Sequence, residues 1–293
     1  MRSFLAQRHT TSKTSLLTQR ASKTFEYLYD GFIDPNAICM FDAKAIYTVP
    51  DEGMKIITNG DEPTNYYTSI GGEPQLLDAI SKLAIHNGLG FTEPENILIT
   101  AGAINGFSAV CSALCDPSDV ILALSPSYIL LAHSPELFGA TMELVPSSRS
   151  GKFKICPIEL QNTIERLLSA QRTIKAVTIV NPTNIDGQCW TRGEIDTLAP
   201  IFEKYDLLLI EDRVYDGTQF DAPSTASFFG RHPTLKHRTI TVDSVSKRFG
   251  ATQWRIGWVI ADSAIIEAAR EFVMQSVWSP NSLFQRATAT MVS

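Results

Sequence analysis

The chain has 293 residues, with 25 lysines and arginines against 31 aspartates and glutamates, so that its net charge is −6. This acidic balance argues against a nucleic-acid binder, which would present a basic face, and no apolar run approaches the roughly 20 residues of a membrane span. The composition, 44% apolar and 19% charged, is that of an ordinary globular protein, and the length is sufficient for one large domain and a smaller one.

The five cysteines are scattered along the chain and odd in number. Cys111 and Cys115 lie four residues apart, on one face of a predicted helix, but no second ligand pair accompanies them. We therefore interpret them as core residues, predict no metal site, and expect a reduced, cytoplasmic compartment.

The first 25 residues contain five basic side chains and no acid. Such a composition is compatible with an organellar transit peptide. The alternative, which we favour, is a mobile N-terminal arm that leads into a helix ending near Gly31. Leu17, Ala21, Phe25 and Leu28 fall on one stripe of that helix, which would let the arm dock.

From residue 73 onward, helical periodicity alternates with short apolar runs. The predicted helices cover residues 73–86, 103–114, 128–137, 157–170, 192–205 and 265–277, and the predicted strands cover residues 96–100, 120–124, 141–145, 174–180, 207–210, 239–242 and 256–261. Near-continuous apolar runs between helices indicate strands buried on both faces, hence an α/β fold with a mainly parallel sheet flanked by helices. Ligands of such sheets bind beyond the carboxyl ends of the strands.

One segment carries a lysine directly after two hydroxyl residues. It reads Ser244-Val245-Ser246-Lys247, and Arg255 follows a short loop later. A lysine that forms a Schiff base needs an anchor for its anionic cofactor, and hydroxyls and a guanidinium are groups that hold a phosphate. Pyridoxal 5′-phosphate (PLP) carries both an aldehyde and a phosphate, so the segment predicts a PLP-binding lysine. The alternative is a surface turn with incidental charge.

Two upstream segments favour the PLP interpretation. An apolar run ends in the turn NPTNIDG at residues 181–187, and the run LLLIEDRVY at residues 207–215 delivers an acid and a tyrosine at its carboxyl end. With the lysine segment, they resemble the class I/II aminotransferases of the fold-type I PLP enzymes. That family shows Asn-Pro-x-Asn-Pro-x-Gly, then Asp-x-x-Tyr, then Ser-x-Ser-Lys and Arg-x-Gly. The resemblance runs from about Asn65 to the end of the chain.

The resemblance implies roles for the residues around the cofactor ring. Lys247 would bind the aldehyde as the internal aldimine, and its free amine would then move the substrate proton. Asp212 would keep the pyridine nitrogen protonated. Tyr215 and Asn184 would hydrogen-bond the ring oxygen, and Tyr128 would stack on the ring. Taken singly, each of these residues also has an ordinary role in a turn, on the surface or in the core.

The same resemblance implies a phosphate site. The backbone N–H groups of Gly102, Ala103 and Ile104 open a predicted helix after a strand, where an anion binds favourably. The hydroxyls of Ser244 and Ser246 and the guanidinium of Arg255 would complete the site. Tyr67 matches a tyrosine that the family donates to the phosphate of the neighbouring subunit, which implies a homodimer with a shared site.

The chain departs from the family pattern in several places. Ile185 and Asp186 replace the usual Pro-Thr of the asparagine turn, Gln253 replaces a glycine, and Arg213 replaces a common glutamate. The family's Gly-x-Pro segment, which lines the substrate cleft, is not found in residues 33–59. Family members also extend well beyond the length of this chain and carry, in that extension, the arginine that binds the substrate carboxylate. We therefore expect an incomplete small domain.

The domain boundaries and the activity follow from the same resemblance. We expect an N-terminal arm and helix over residues 1–50, a PLP-binding large domain over residues 51–275, and the start of a connecting helix over residues 276–293. The predicted function is an aminotransferase that acts on an amino acid and a 2-oxo acid. The alternatives are another fold-type I reaction, such as that of a β-lyase or decarboxylase, and a PLP-binding partner or regulatory module without turnover.

Overall fold

The structure is a computed structural model that describes residues 47–59, 67–126, 128, 131, 133–147, 153–220 and 228–292. The chain divides into two compact units, Met1–Ala43 and Lys44–Ser293. The predicted N-terminal arm and its helix fall in the first unit and lie outside the described residues. The sheet and the helices of the described residues belong to the second unit.

In the described part of the second unit, the strands form a seven-stranded sheet. Its strands are β1 (Ile97–Thr100), β2 (Val120–Ser125), β3 (Thr141–Pro146), β4 (Ile174–Val180), β5 (Leu208–Asp212), β6 (Thr239–Ser244) and β7 (Gly257–Ile260). They pair in the order β1-β7-β6-β5-β4-β2-β3. Strand β7 is antiparallel to both neighbours, and the other pairs are parallel. The prediction of a mainly parallel sheet is thus confirmed.

Helices connect and cover the strands. They are α1 (Asp51–Asn59), α2 (Pro74–His86), α3 (Ala103–Leu114), α4 (Pro157–Ser169), α5 (Arg192–Lys204), α6 (Val245–Arg248), α7 (Ser263–Ser276) and α8 (Ser282–Val292). Prolines begin α2 and α4, where the missing N–H costs little. Helix α5 begins with a capping box, in which the Thr191 N–H donates to Glu194 Oε2 at 2.8 Å.

Apolar side chains cover both faces of the sheet. On β4, Val177 and Ile179 join one cluster with α4 and α5, whereas Ala176 joins the opposite cluster with α3 and α7. A third cluster, which includes Trp258, packs α2 and α8 against β1 and β7. Each fully buried large apolar side chain stabilises the fold by about 1.5–3 kcal/mol. This double-sided packing fixes the strand ends from which the site side chains project.

The structure differs from the predicted elements in three places. Of the helix predicted over residues 128–137, the described residues show helical backbone at Leu131 and His133, followed by a 3₁₀ helix at Pro135–Phe138. Proline lacks the N–H for the helical ladder and interrupts the α-helix there. Helices α1 and α6 were not predicted, because α1 lies outside the alternating pattern and α6 is a single turn.

Candidate active site

The carboxyl ends of three neighbouring parallel strands bring the predicted ring-binding residues together. Val180 of β4 lies opposite Asp212 of β5, and Asp212 lies opposite Val242 of β6. The segments that follow these strands therefore leave the sheet side by side. They carry Asn184 after β4, Tyr215 after β5 and Lys247 after β6.

Asp212 is a buried carboxylate at the end of β5. Its side chain is 6% exposed, and its Oδ1 accepts a hydrogen bond from the Val214 N–H at 3.1 Å. Burial raises the pKa of Asp212 to about 7, the Val214 bond opposes this rise, and the charges of Asp243 and Glu211 add to it. The anionic form of Asp212 would therefore gain much from a cationic partner.

Asn184 and Tyr215 are joined across the two turns. The Asn184 Nδ2 donates to the Tyr215 hydroxyl oxygen at 2.7 Å. Burial raises the pKa of Tyr215, the Asn184 bond opposes the rise, and the Asp212 charge adds to it. The phenol is thus neutral at neutral pH, and its hydroxyl proton is available to an acceptor.

Lys247 lies on the short helix α6, directly after β6. Ser244 caps this helix, because its Oγ accepts the Ser246 N–H at 3.3 Å. Lys247 is half-buried, while both serines are buried. The Tyr47 hydroxyl donates a hydrogen bond to the main-chain carbonyl of Lys247. Each serine hydroxyl retains its own proton as a donor for an anion.

The loop before α3 has the form of an anion cradle. Gly102 caps α3 at a φ of 84°, and a Cβ on it would lie 2.2 Å from Arg255 Nη2. A Cβ on Gly257 would lie 2.7 Å from the Gly102 carbonyl carbon. The Arg255 guanidinium donates to the Ala101 carbonyl at 3.2 Å. The first-turn N–H groups of Ala103 and Ile104 have no acceptor within the helix, so they are available to an anion beside the Arg255 guanidinium.

The remaining residues of the predicted phosphate and ring sites lie in different surroundings. Ile104 is 37% exposed on the first turn of α3. Tyr128 is half-buried and lines a small cavity together with Asn184, Phe153 and Ile185. Tyr128 therefore lies near Asn184, one of the residues predicted to bind the ring.

Tyr67 is not brought into this group. Its side chain is 85% exposed, and its ring contacts that of Trp278 with centroids 5.9 Å apart. Next to it, the Thr68 and Ser279 hydroxyl oxygens lie 2.7 Å apart. The exposed position leaves Tyr67 outside the site of its own chain.

Sequence reasoning assigned no role in the site to Tyr47 or to a set of four charged residues close to Lys247. These residues are Arg213, Asp216, Asp243 and Arg248, and we call them the ion network. The sequence does indicate that charges pair here, because Asp243 and Arg248 flank the lysine segment at the end of a buried strand, where an unpaired charge would be costly. The pairing itself depends on the tertiary structure.

The departures at Ile185 and Asp186 leave a well-bonded turn. Asp186 Oδ1 accepts the Gln188 N–H at 3.1 Å, and Oδ2 accepts the Phe153 N–H at 3.4 Å. The Thr183 hydroxyl also donates to Asp186. These hydrogen bonds to Asp186 restrain the turn, as the proline of the usual family pattern would. Gln253 lies in a 3₁₀ turn, Thr252–Trp254, which leads into Arg255.

Two features are absent from the described residues. These residues contain no group of three or more His, Cys, Asp or Glu side chains placed to hold a metal ion. Among the same residues, no helix has both the length and the apolarity needed to cross a bilayer.

Comparison with known proteins gives consistent matches. The family described as Aminotransferase class I and II matches residues 39–293. The bifunctional aspartate aminotransferase and glutamate/aspartate-prephenate aminotransferase of Petunia hybrida is 30% identical over 84% of this chain and 49% of its own length. The aspartate aminotransferase of Geobacillus stearothermophilus is 28% identical over 83% of this chain and 60% of its own length. The chain thus spans about half to three-fifths of these relatives.

Solved structures show the same fold. The aromatic aminotransferase of Pyrococcus horikoshii OT3 superposes with a TM-score of 0.76 at 25% identity, over 85% of this chain and 65% of that one. The aspartate aminotransferase of Thermus thermophilus with maleate has the same TM-score at 24% identity, over 86% of this chain and 63% of that one.

Proposed function

Because this chain belongs to the aminotransferase class I and II family, we propose that it binds PLP at Lys247 and transfers an amino group between an amino acid and a 2-oxo acid. The observation that carries this proposal is Asp212, a buried carboxylate with a raised pKa that is one strand away from the lysine strand. An uncompensated buried carboxylate is costly, and a bound pyridinium offsets that cost.

The residues present fit the cofactor. The N–H groups at the start of α3 and the Arg255 guanidinium would hold the phosphate, and the narrow approach at Gly102 and Gly257 leaves room for nothing larger than hydrogen at those positions. The hydroxyls of Ser244 and Ser246 would complete the phosphate site. The list of residues proposed to hold the cofactor is Tyr67 (from a partner), Gly102, Ala103, Ile104, Tyr128, Asn184, Asp212, Tyr215, Ser244, Ser246, Lys247 and Arg255.

The catalytic work falls to three side chains. PLP, when bound, supplies an electron sink for the pair left at the substrate α-carbon. The Lys247 amine would accept the proton from that carbon as a general base and later give it up as a general acid. Asp212 would hold a proton at the ring nitrogen, and Tyr215, oriented by its 2.7 Å bond from Asn184, would donate to the ring oxygen.

Assembly, domains and compartment are part of the same proposal. The chain would form a two-fold homodimer with shared sites, in which the exposed Tyr67 of each copy reaches the phosphate bound by the other. Residues 1–50 would be the arm and helix, residues 51–275 the PLP-binding domain, and residues 276–293 the start of a connection to a small domain. A cytoplasmic location accords with the free cysteines of the described residues.

The proposal is tested by trapping the cofactor and then following its absorbance. We expect purified protein to take up PLP and to carry a borohydride-reduced label on Lys247. The label should be lost in Lys247→Ala and kept in Lys82→Ala, which changes an exposed lysine. A label that stays on another lysine would contradict the assignment.

The second stage adds amino donors one at a time. We expect the absorbance of the lysine-bound form to change to that of the amine form, and a 2-oxo acid to reverse the change. Release of carbon dioxide or of a β-substituent would indicate a decarboxylase or β-lyase instead. Labelled protein that responds to no donor would indicate a PLP-binding module without turnover.

A further inference from the structure

The ion network links the two segments that carry Tyr215 and Lys247. Arg213 and Asp216 lie on the loop that follows β5, and Asp243 and Arg248 flank the lysine segment. The side chains of the four are only 2%, 15%, 4% and 14% exposed, in that order. They are therefore largely removed from solvent screening.

Arg248 makes the contacts that cross between the two segments. Its Nε donates to the Asp216 main-chain carbonyl at 2.8 Å, and its Nη2 lies 2.5 Å from Asp216 Oδ2 and 3.4 Å from Asp243 Oδ2. One guanidinium therefore holds both the backbone and the carboxylate of the loop. This fork-like contact is specific to arginine, because a lysine presents a single point charge.

The loop after β5 packs closely against the Arg248 side chain. Gly217 has a φ of 79°, and a Cβ on it would lie 3.2 Å from both Cγ and Nε of Arg248. Arg213 donates to the same Asp216 carboxylate, and its guanidinium carbon lies 3.6 Å from the centroid of the Phe228 ring. Asp216 is thus shared by two arginines, and the loop residues between them have little freedom.

Asp243 extends the link to the helix cap. Its Oδ1 accepts the Ser244 N–H at 2.7 Å, and Ser244 in turn caps α6. Burial raises the pKa of Asp243 to about 6, and the neighbouring Arg248 and Arg213 oppose that rise. Loss of Arg248 would leave this carboxyl buried without its partner.

We propose that Arg248 is a positioning residue for the candidate active site: by bridging Asp216 and Asp243, it holds the loop that carries Tyr215 against the helix that carries Lys247. The role in cofactor binding rests on the proposed function, whereas the link between loop and helix does not. Buried ion pairs contribute little net stability compared with apolar packing. We therefore expect the ion network to fix the position of the loop relative to the helix, and to add little to the stability of the fold.

The link is tested first on protein without cofactor. We expect Arg248→Gln to increase hydrogen exchange of the amides in residues 213–218 at least tenfold, while the amides of β2 and β4 stay protected. Asp216→Asn should have the same effect without leaving an unpaired buried carboxylate. Arg166→Gln, which breaks an exposed pair with Glu143, is the matched control and should leave residues 213–218 unchanged.

The consequence for the site is tested on protein with PLP bound. Arg248→Gln and Arg248→Lys should both bind PLP about tenfold more weakly, because neither side chain bridges the two carboxylates. The pH midpoint of the bound-cofactor absorbance separates charge from geometry. It should rise by about 1 unit in the Gln variant, where a cation is lost, and stay near the wild-type value in the Lys variant.

Other charged and titratable groups face this part of the site and are identical in the two Arg248 variants. They are Tyr47, Glu211, Asp212, Arg213, Tyr215, Asp216 and Asp243.

Unchanged hydrogen exchange and unchanged PLP affinity in Arg248→Gln would overturn the proposal. If wild-type protein takes up no PLP at Lys247, the proposed function fails, but the exchange result still decides whether Arg248 holds the loop.

Discussion

Asp212 is the residue on which the proposed proton transfer depends most directly. We expect Asp212→Asn to retain PLP but to lose proton transfer at the substrate α-carbon by about a hundredfold or more, because a neutral amide does not hold the ring nitrogen protonated. The measurement is exchange of the α-proton with deuterated solvent at saturating cofactor. Glu203→Gln, which neutralises an exposed carboxylate on α5, is the control and should keep the exchange rate. A wild-type rate in the Asn variant would contradict the role.

The same carboxyl predicts how the stability of the cofactor-free protein depends on pH. Burial raises the pKa of Asp212 to about 7, far above the ordinary value of 3.8. The folded state therefore binds this proton more tightly than the unfolded state, so its stabilising contribution is complete below about pH 4 and is lost as the pH rises through about 7. Rising pH should destabilise the wild type relative to Asp212→Asn.

Thermal unfolding at several pH values measures this effect. We expect the difference in melting temperature, Asp212→Asn minus wild type, to grow between pH 5 and pH 8. Saturating PLP should reduce the growth, because a bound cation compensates the aspartate. A difference that does not change with pH would show that the carboxyl titrates at its ordinary value.

At the scale of elements, the turn between β1 and α3 has the strictest steric requirement. Gly102→Ala places a Cβ against the Arg255 guanidinium, 2.2 Å from Nη2, at a φ of 84°. We expect PLP affinity to fall at least tenfold, because the guanidinium and the helix N-terminus no longer converge on the phosphate. Equilibrium dialysis of PLP gives the affinity.

Gly193→Ala is the matched control for this element. Gly193 lies in the first turn of α5, and a Cβ there meets nothing within 4 Å. This change should leave PLP binding intact and stabilise the protein slightly, since alanine has the higher helix propensity. Equal losses of PLP affinity in the two variants would exclude a specific role for the Gly102 turn.

Most elements could be predicted because each carries its own pattern of apolar residues. The bounds of α3 and β4, at Ala103–Leu114 and Ile174–Val180, agree with the predicted 103–114 and 174–180. The single turn α6 could not be predicted, because it depends on the Ser244 cap and on contacts from the ion network. The carboxyl ends of β5 and β6 lie at Asp212 and Ser244, two residues beyond the predicted ends at 210 and 242. The pairing of Arg248 with Asp216, 32 positions away, could not be predicted, because it depends on the tertiary structure.

At the scale of the whole molecule, several exposed aromatic and apolar residues lie near one another at the end of α7. Tyr67 is 85% exposed, Trp278 is 46% exposed and Val277 is 38% exposed. The ring contact between Tyr67 and Trp278 places them on one surface. Aromatic residues of this kind are typical anchors of protein–protein interfaces. We therefore expect two copies of the chain to meet there.

The final prediction tests the shared site through that surface. Tyr67→Phe should leave the dimer intact but weaken PLP binding about tenfold, because it removes one hydrogen bond to a charged phosphate. Trp278→Ala should weaken the dimer itself, and PLP affinity should fall with it. Ile158→Ala, which shortens a 69% exposed side chain on α4, is the control and should change neither. Sedimentation gives the mass and absorbance gives the occupancy. A stable monomer with full PLP occupancy would refute the shared site, because Tyr67 lies outside the site of its own chain.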